Sequence, residues 1–250
     1  MNYAGSEKRV AIEEKKKIVE FLWKRNEEQE IVGHIYVGRI VRTIAGMNAA
    51  FVNIGLEKHA YLSYDDVPSS YRIHEGQAVL VQVVKEAIDT KGPKLTANIE
   101  FTGKYVVYMP YDEMRAVSRK IKNNKRRQQL LQIEVEGTGG YIFRSASEKG
   151  EIEEIQAEMQ RLQQLYEELK RKEDQGKAPL LLHRPATFLD RVFQENPIET
   201  IEKVIVDTRS IVKELEEKVG KEKVSFYNEK SSMFNHFGIE REIEKALQKI

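Results

Sequence analysis

Hydrophobic and polar positions alternate with a period of two through most of the first 110 residues, and with a period near 3.6 through long stretches after them. Two short runs, 9–12 and 18–23, read as strands joined by a charged turn. From residue 31 to 101 strand follows strand: 35–41, 49–55, 59–62, 78–84 and 93–99, with a turn at Gly46-Met47-Asn48 and a loop containing Pro, Ser and Tyr before the fourth. Five strands, no long helix and glycines where strands must bend predict a small closed β-barrel of the OB type.

Beyond the barrel the pattern changes. Residues 105–109 read as a strand ending at Pro110, 118–127 (SRKIKNNKRR) as a basic run and 141–144 as another strand. A helix is predicted from Ser147, with Ile152, Ile155, Met159, Leu162, Leu165 and Leu169 on one face. It breaks at 173–177, with Gly176 as its C-terminal cap. The remaining residues predict a helix over 187–195, a strand over 203–206, a helix over 208–219 closed by Gly220, and a strand over 223–227. An amphipathic helix follows over 238–250, carrying Ile239, Ile243, Leu247 and Ile250. The late strands need partners, and the N-terminal strand pair is the candidate. The fold class is therefore α+β with several subdomains, the barrel being inserted in a mixed α/β unit split in sequence.

Composition narrows the function classes. With 41 Lys+Arg against 40 Asp+Glu the formal charge is +1, which excludes a polycationic coat protein but not a local basic patch. There is no cysteine, so disulfides, thiol nucleophiles and Cys-ligated zinc are excluded, and a reducing cytosol fits. No apolar window of membrane-spanning length and no signal pattern is found, which places the chain in the cytoplasm. The five histidines lack metal-ligand spacing, and no Gly-rich phosphate loop or nucleophile elbow occurs.

Several blocks carry a resemblance. The run 33–42 (GHIYVGRIVR) followed by 46–62 (GMNAAFVNIGLEKHAYL) resembles the opening of the RNA-binding barrel in the RNase E/G endoribonucleases. The blocks 91–96 (KGPKLT), 103–110 (GKYVVYMP), 117–121 (VSRKI), Arg144-Ser145 and 234–244 (FNHFGIEREIE) are similar to the same family in order and spacing. The resemblance implies an OB barrel over 31–103, a sensor of RNA 5′-monophosphate ends over 104–186, and an RNase-H-like scaffold split between 1–30 and 187–250. It also implies single-stranded RNA as the partner, in RNA processing and decay. The family's magnesium-binding aspartates and Cys-bound zinc belong to later regions; with no Asp-x-Asn motif and no cysteine, this chain is expected to hold no cofactor and not to cleave by itself. A homo-oligomer formed through the full-length enzyme stays open.

Residue by residue, Phe51 and Tyr61 match the family's stacking aromatics and Lys91 its basic partner, with Arg39 and Arg42 as further phosphate contacts. For the 5′ phosphate, Arg144 and Ser145 match a guanidinium–hydroxyl pair, Gly103 and Val107 match backbone contributors, and Arg119 opens the basic run beside them. Blander readings stand next to these. Phe51 can fill the barrel, strand arginines can be merely solvated, and Arg144 can form a surface ion pair. Ser145 with Glu148 also fits a helix capping box, and the basic run fits a solvated face. A stand-alone RNA-binding regulator or ribosome-associated factor, and a structural interaction protein using the acidic helix and the final amphipathic helix, are the rival functions.

Overall fold

The computed structural model describes residues 1–25, 31–87, 91–134, 136–196 and 198–247. The chain divides into two compact units, Met1–Glu28 with Ala186–Ile250, and Gln29–Pro185.

The first unit opens with an antiparallel hairpin of β1 (Glu7–Glu14) and β2 (Lys17–Arg25). Its two-residue turn, Lys15-Lys16, takes φ of 49° and 63°, the handedness that matches the twist of a tight hairpin.

The second unit begins with β3 (Ile35–Ile44), β4 (Ala49–Asn53), β5 (Ala60–Ser63), β6 (Ala78–Lys85) and β7 (Lys94–Thr96). The sheet runs β3-β4-β5-β7-β6 and closes by pairing β6 with β3; every pairing is antiparallel except β5 with β7. Ile40, Val52, Ala60, Leu62, Val79, Val81, Val83 and Leu95 fill its interior. The apolar run of β6 is continuous because its other face is buried too: Leu80, with Ile35 and Val37 of β3, packs into a second core.

That second core lies under a four-stranded sheet of β8 (Phe101–Thr102), β9 (Val106–Met109), β10 (Arg115–Val117) and β11 (Gly140–Phe143), in the order β10-β11-β9-β8. The basic run is not an open loop. Asn123 caps helix α1 (Asn124–Leu131) by accepting the Arg126 N–H at 3.1 Å, and Leu130 is buried beneath it.

The long helix α2 (Ile152–Asp174) starts five residues later than the pattern predicts. Residues Ser145–Glu148 form a separate 3-10 turn in which no side chain makes a cap bond, so the capping-box alternative for Ser145 fails. Ser147 is drawn inward instead and donates its hydroxyl to the Tyr105 carbonyl at 2.6 Å. The predicted apolar face holds: Ile155, Met159, Leu162 and Leu169 are buried, and Ile152 and Leu165 pack beside them. An unforeseen strand, β12 (Leu180–His183), then pairs antiparallel with residues 35–37 of β3.

The first unit resumes with α3 (Phe188–Glu195), β13 (Val204–Val206), α4 (Val212–Val219), β14 (Val224–Phe226), α5 (Met233–His236) and α6 (Ile239–Leu247). β13 and β14 pair in parallel across α4, a βαβ arrangement. The expected pairing of these strands with the N-terminal pair does not occur among the described residues. The hairpin satisfies its own backbone over eight register pairs. The stretch that runs beside β13 is the N-terminus itself: the Met1 amine donates to Ile205 O at 2.6 Å and the Tyr3 N–H to Asp207 Oδ1 at 2.7 Å. Ile239 and Ile243 are half-buried on α6, while Ile250 lies outside the described residues. No helix among the described residues is long and apolar enough to cross a membrane.

Candidate nucleic-acid interface

Alternation along a strand sends every second side chain to the outside of a barrel, and register decides which of those meet. On β4, Ala50 and Val52 are buried and Phe51 between them is half-exposed; on β5, Ala60 and Leu62 are buried and Tyr61 between them is half-exposed. Both rings therefore lie on the outer surface, and the core-filling alternative for Phe51 fails. They stand directly opposite one another in the β4–β5 register.

The row continues to either side. Arg42 of β3 is the register partner of Phe51, reaching this face through an irregularity between Ile40 and Arg42. On the far side Lys94 of β7 is the partner of Tyr61, and Lys85 of β6 is the partner of Lys94. Two aromatic faces flanked by cations thus follow one another around the wall of the barrel, at ~4.8 Å from strand to strand. Arg42 and Lys85 are exposed. Lys94 forms an ion pair with Asp66 at 2.8 Å, and that hydrogen bond and charge hold its ammonium above the ordinary lysine value.

Lys91, the basic residue expected here, is exposed just before β7 and outside the row. Its position is set by Gly92 and Pro93. The Pro93 carbonyl accepts the Tyr61 N–H at 2.8 Å, and a Cβ on Gly92 would overlap the His59 carbonyl oxygen. Arg39 is used differently. Its guanidinium donates to the carbonyls of Gly76 and Gly176, both at 2.8 Å, and ties two loops together. Lys94 and Lys85 went unseen in the sequence because register across a barrel is not written in local spacing.

The second candidate group gathers at the start of β9. Arg144, just after β11, donates its main-chain N–H to Tyr105 O at 2.7 Å and its guanidinium to Gly103 O. Ser145 is exposed beside it. The Ser118 N–H bonds the Phe143 carbonyl at 2.8 Å, which brings exposed Arg119 alongside Arg144. The two backbone contributors are already engaged. The Gly103 N–H donates to Val106 O at 2.8 Å, and Val107 lies within the sheet opposite Ile142 and Thr102.

Of the six cations in 119–127, Arg126 donates to the Ser147 and Gly150 carbonyls and Arg127 to those of Ser118 and Ile121. Arg119, Lys120, Lys122 and Lys125 remain exposed. The basic run is therefore partly a set of carbonyl clamps and partly a charged rim.

No group of three or more His, Asp or Glu side chains that could hold a metal ion occurs among the described residues. The described residues therefore offer no donor set that fits a magnesium or zinc centre.

The ribonuclease E/G family model matches residues 100–250. Ribonuclease G of Haemophilus influenzae is 29% identical, aligned over 100% of this chain and 56% of its own length. Ribonuclease G of Escherichia coli K12 is 28% identical with the same coverage, and ribonuclease E of Nostoc sp. PCC 7120 is 30% identical over 87% of this chain and 35% of its own length. The chain thus spans about half the length of the ribonuclease G relatives it matches.

Proposed function

The chain belongs to the ribonuclease E/G family, and from that premise we propose that it is a single-stranded RNA-binding module which also senses 5′-monophosphate ends. The observation that carries the binding role is the row Arg42–Phe51–Tyr61–Lys94. Two flat rings at adjacent strand positions offer stacking faces to successive bases, and the cations at either end meet the phosphates. Such stacking is indifferent to base identity, which suits an RNA-processing module acting on varied transcripts.

In this reading the barrel is of the OB type, supported by its closed order and its one parallel pairing. The first unit is RNase-H-like, supported by the β13–α4–β14 arrangement alone. End sensing rests on the Arg144 guanidinium, the Ser145 hydroxyl and the neighbouring Arg119; a guanidinium fork and a hydroxyl supply charge-assisted donors to a phosphate monoester. Lys91 and Arg42 extend the cationic rim of the barrel, and Arg39 holds the loops that frame it. In this role these residues bind and orient RNA and break no bond.

The test is equilibrium binding of a fluorescent single-stranded oligoribonucleotide by fluorescence anisotropy. Phe51→Ala and Tyr61→Ala are each expected to cost about 1–3 kcal/mol, about 5- to 150-fold in Kd. Unchanged affinity in both variants overturns the binding role. Equal affinity of the wild-type chain for 5′-hydroxyl and 5′-monophosphate ends overturns the sensing role.

A further inference from the structure

The geometry points to Glu158 of α2 as a positioning residue for the candidate 5′-phosphate group, an inference that rests on the end-sensing reading above. Its carboxylate accepts three consecutive main-chain N–H groups, from Lys104 and Tyr105 at 2.7 Å each and from Val106 at 3.0 Å. The side chain is only 11% exposed. Three successive amides turned toward one point make an anion-binding concavity, and here the anion is supplied by the protein. Gly103 completes the fit, since a Cβ at that position would overlap the Glu158 carboxylate.

The same short loop is gripped from the opposite side through its carbonyls. Gly103 O accepts from the Arg144 guanidinium, while Tyr105 O accepts the Arg144 N–H at 2.7 Å and the Ser147 hydroxyl at 2.6 Å. The Tyr105 hydroxyl in turn donates to Glu154 at 2.6 Å, one turn before Glu158 on the same helix. Amides facing Glu158 and carbonyls facing Arg144 are two sides of the same peptide planes. Whatever fixes the amides therefore fixes where the Gly103 carbonyl holds the guanidinium.

Glu158 touches no phosphate in this scheme. It acts through the loop on Arg144, the residue that does. It also keeps the loop amides from water, so the phosphate is met by a preset guanidinium rather than by a mobile one. An isolated acidic side chain in a helix rich in Glu would not be noticed in the sequence; the three amides make it specific.

The experiment measures Kd of the full 250-residue chain for one oligoribonucleotide carrying either a 5′-monophosphate or a 5′-hydroxyl, and takes the ratio. Glu158→Gln is expected to lower that ratio at least fivefold toward one, with affinity for the hydroxyl form within twofold of wild type. Gly103→Ala, which pushes on the same contact from the loop side, is expected to lower the ratio as well. Amide hydrogen exchange supplies an independent readout: Lys104, Tyr105 and Val106 exchange slowly in the wild-type chain and at least tenfold faster in the Glu158→Gln variant. A wild-type ratio of one overturns end sensing, and this positioning role with it. A wild-type preference retained by Glu158→Gln, or equal loss of both affinities, overturns the positioning role and leaves end sensing standing. Fast exchange of the three amides in the wild-type chain overturns it without any variant.

Discussion

At the scale of single residues, the side chain with most at stake is Glu173. It is 7% exposed and accepts the Leu80 N–H at 2.9 Å, the Tyr71 hydroxyl at 3.1 Å and the Lys170 ammonium at 2.6 Å. A carboxylate held away from water survives only with such partners. Tyr71 also meets Tyr111 at 3.0 Å, and burial drives both hydroxyls to higher pKa, so they stay protonated donors. Glu173→Leu leaves the Leu80 N–H without its acceptor and the Lys170 ammonium with the Tyr71 hydroxyl but no carboxylate to balance its charge. It is expected to cost about 3 kcal/mol, read as a lower midpoint in urea with an unchanged slope. A loss below about 0.5 kcal/mol would mean water replaces the carboxylate. Residues of this kind are poorly legible in sequence: Phe51 and Tyr61 stand out only because their blocks resemble the RNase E/G barrel, whereas Glu173 and Glu158 are two acids among many on one helix. Their difference lies in what the rest of the chain brings to them.

At the scale of elements, α3 illustrates a helix whose start is fully written in the sequence. Thr187 and Asp190 form a reciprocal capping box, with the Asp190 N–H donating to Thr187 Oγ1 at 3.1 Å and the Thr187 N–H to Asp190 Oδ2 at 2.9 Å. Lys218 of α4 adds an ion pair to Asp190 at 2.6 Å. Burial pushes the Asp190 carboxyl up, but the hydrogen bonds from Lys218 and Thr187 outweigh it and hold the group below its ordinary value. A carboxyl depressed in the folded state contributes stability above its unfolded pKa, near 3.9, and loses it as pH falls through the lower folded value. Asp190→Ala is expected to cost about 1–2 kcal/mol at pH 7 and progressively less as the pH falls below the ordinary carboxyl range, measured by thermal unfolding across pH. The barrel strands were legible for a similar reason, since alternation and turn residues agree. Helix α1 was hidden because lysines and arginines mask its one buried leucine, and β12 because Leu180-Leu181-Leu182 has no alternation to display. The failed pairing of β13 with the N-terminal hairpin reflects a choice between edges, which local pattern does not encode.

At the scale of the whole molecule, a +1 chain binds a polyanion only through local arrangement. Arg42, Lys85, Lys91 and Lys94 supply four cations on or beside the aromatic row. Counterion release for single strands then gives a slope of log K against log salt of about −3, at ~0.7 per neutralised phosphate. Lys94→Gln is expected to make that slope shallower by about 0.7, and a slope near zero would rule out phosphate contact by this rim. The fold class and the barrel were readable from pattern, and the family from motif order; the row and the clamp were not, because both depend on neighbours far apart in the chain.

The division of the first unit between the two ends of the chain also sets an order of events during synthesis. The β1–β2 hairpin leaves the ribosome before residues 29–185, yet Phe188 and Val192 of α3, which pack with Val10, are made only after them. At ~5–20 residues per second the hairpin waits about 8 to 30 s for its core, while the barrel and its neighbouring sheet have all they need to fold. Trp23 and Val19, more than half exposed even in the finished fold, stay uncovered throughout that interval.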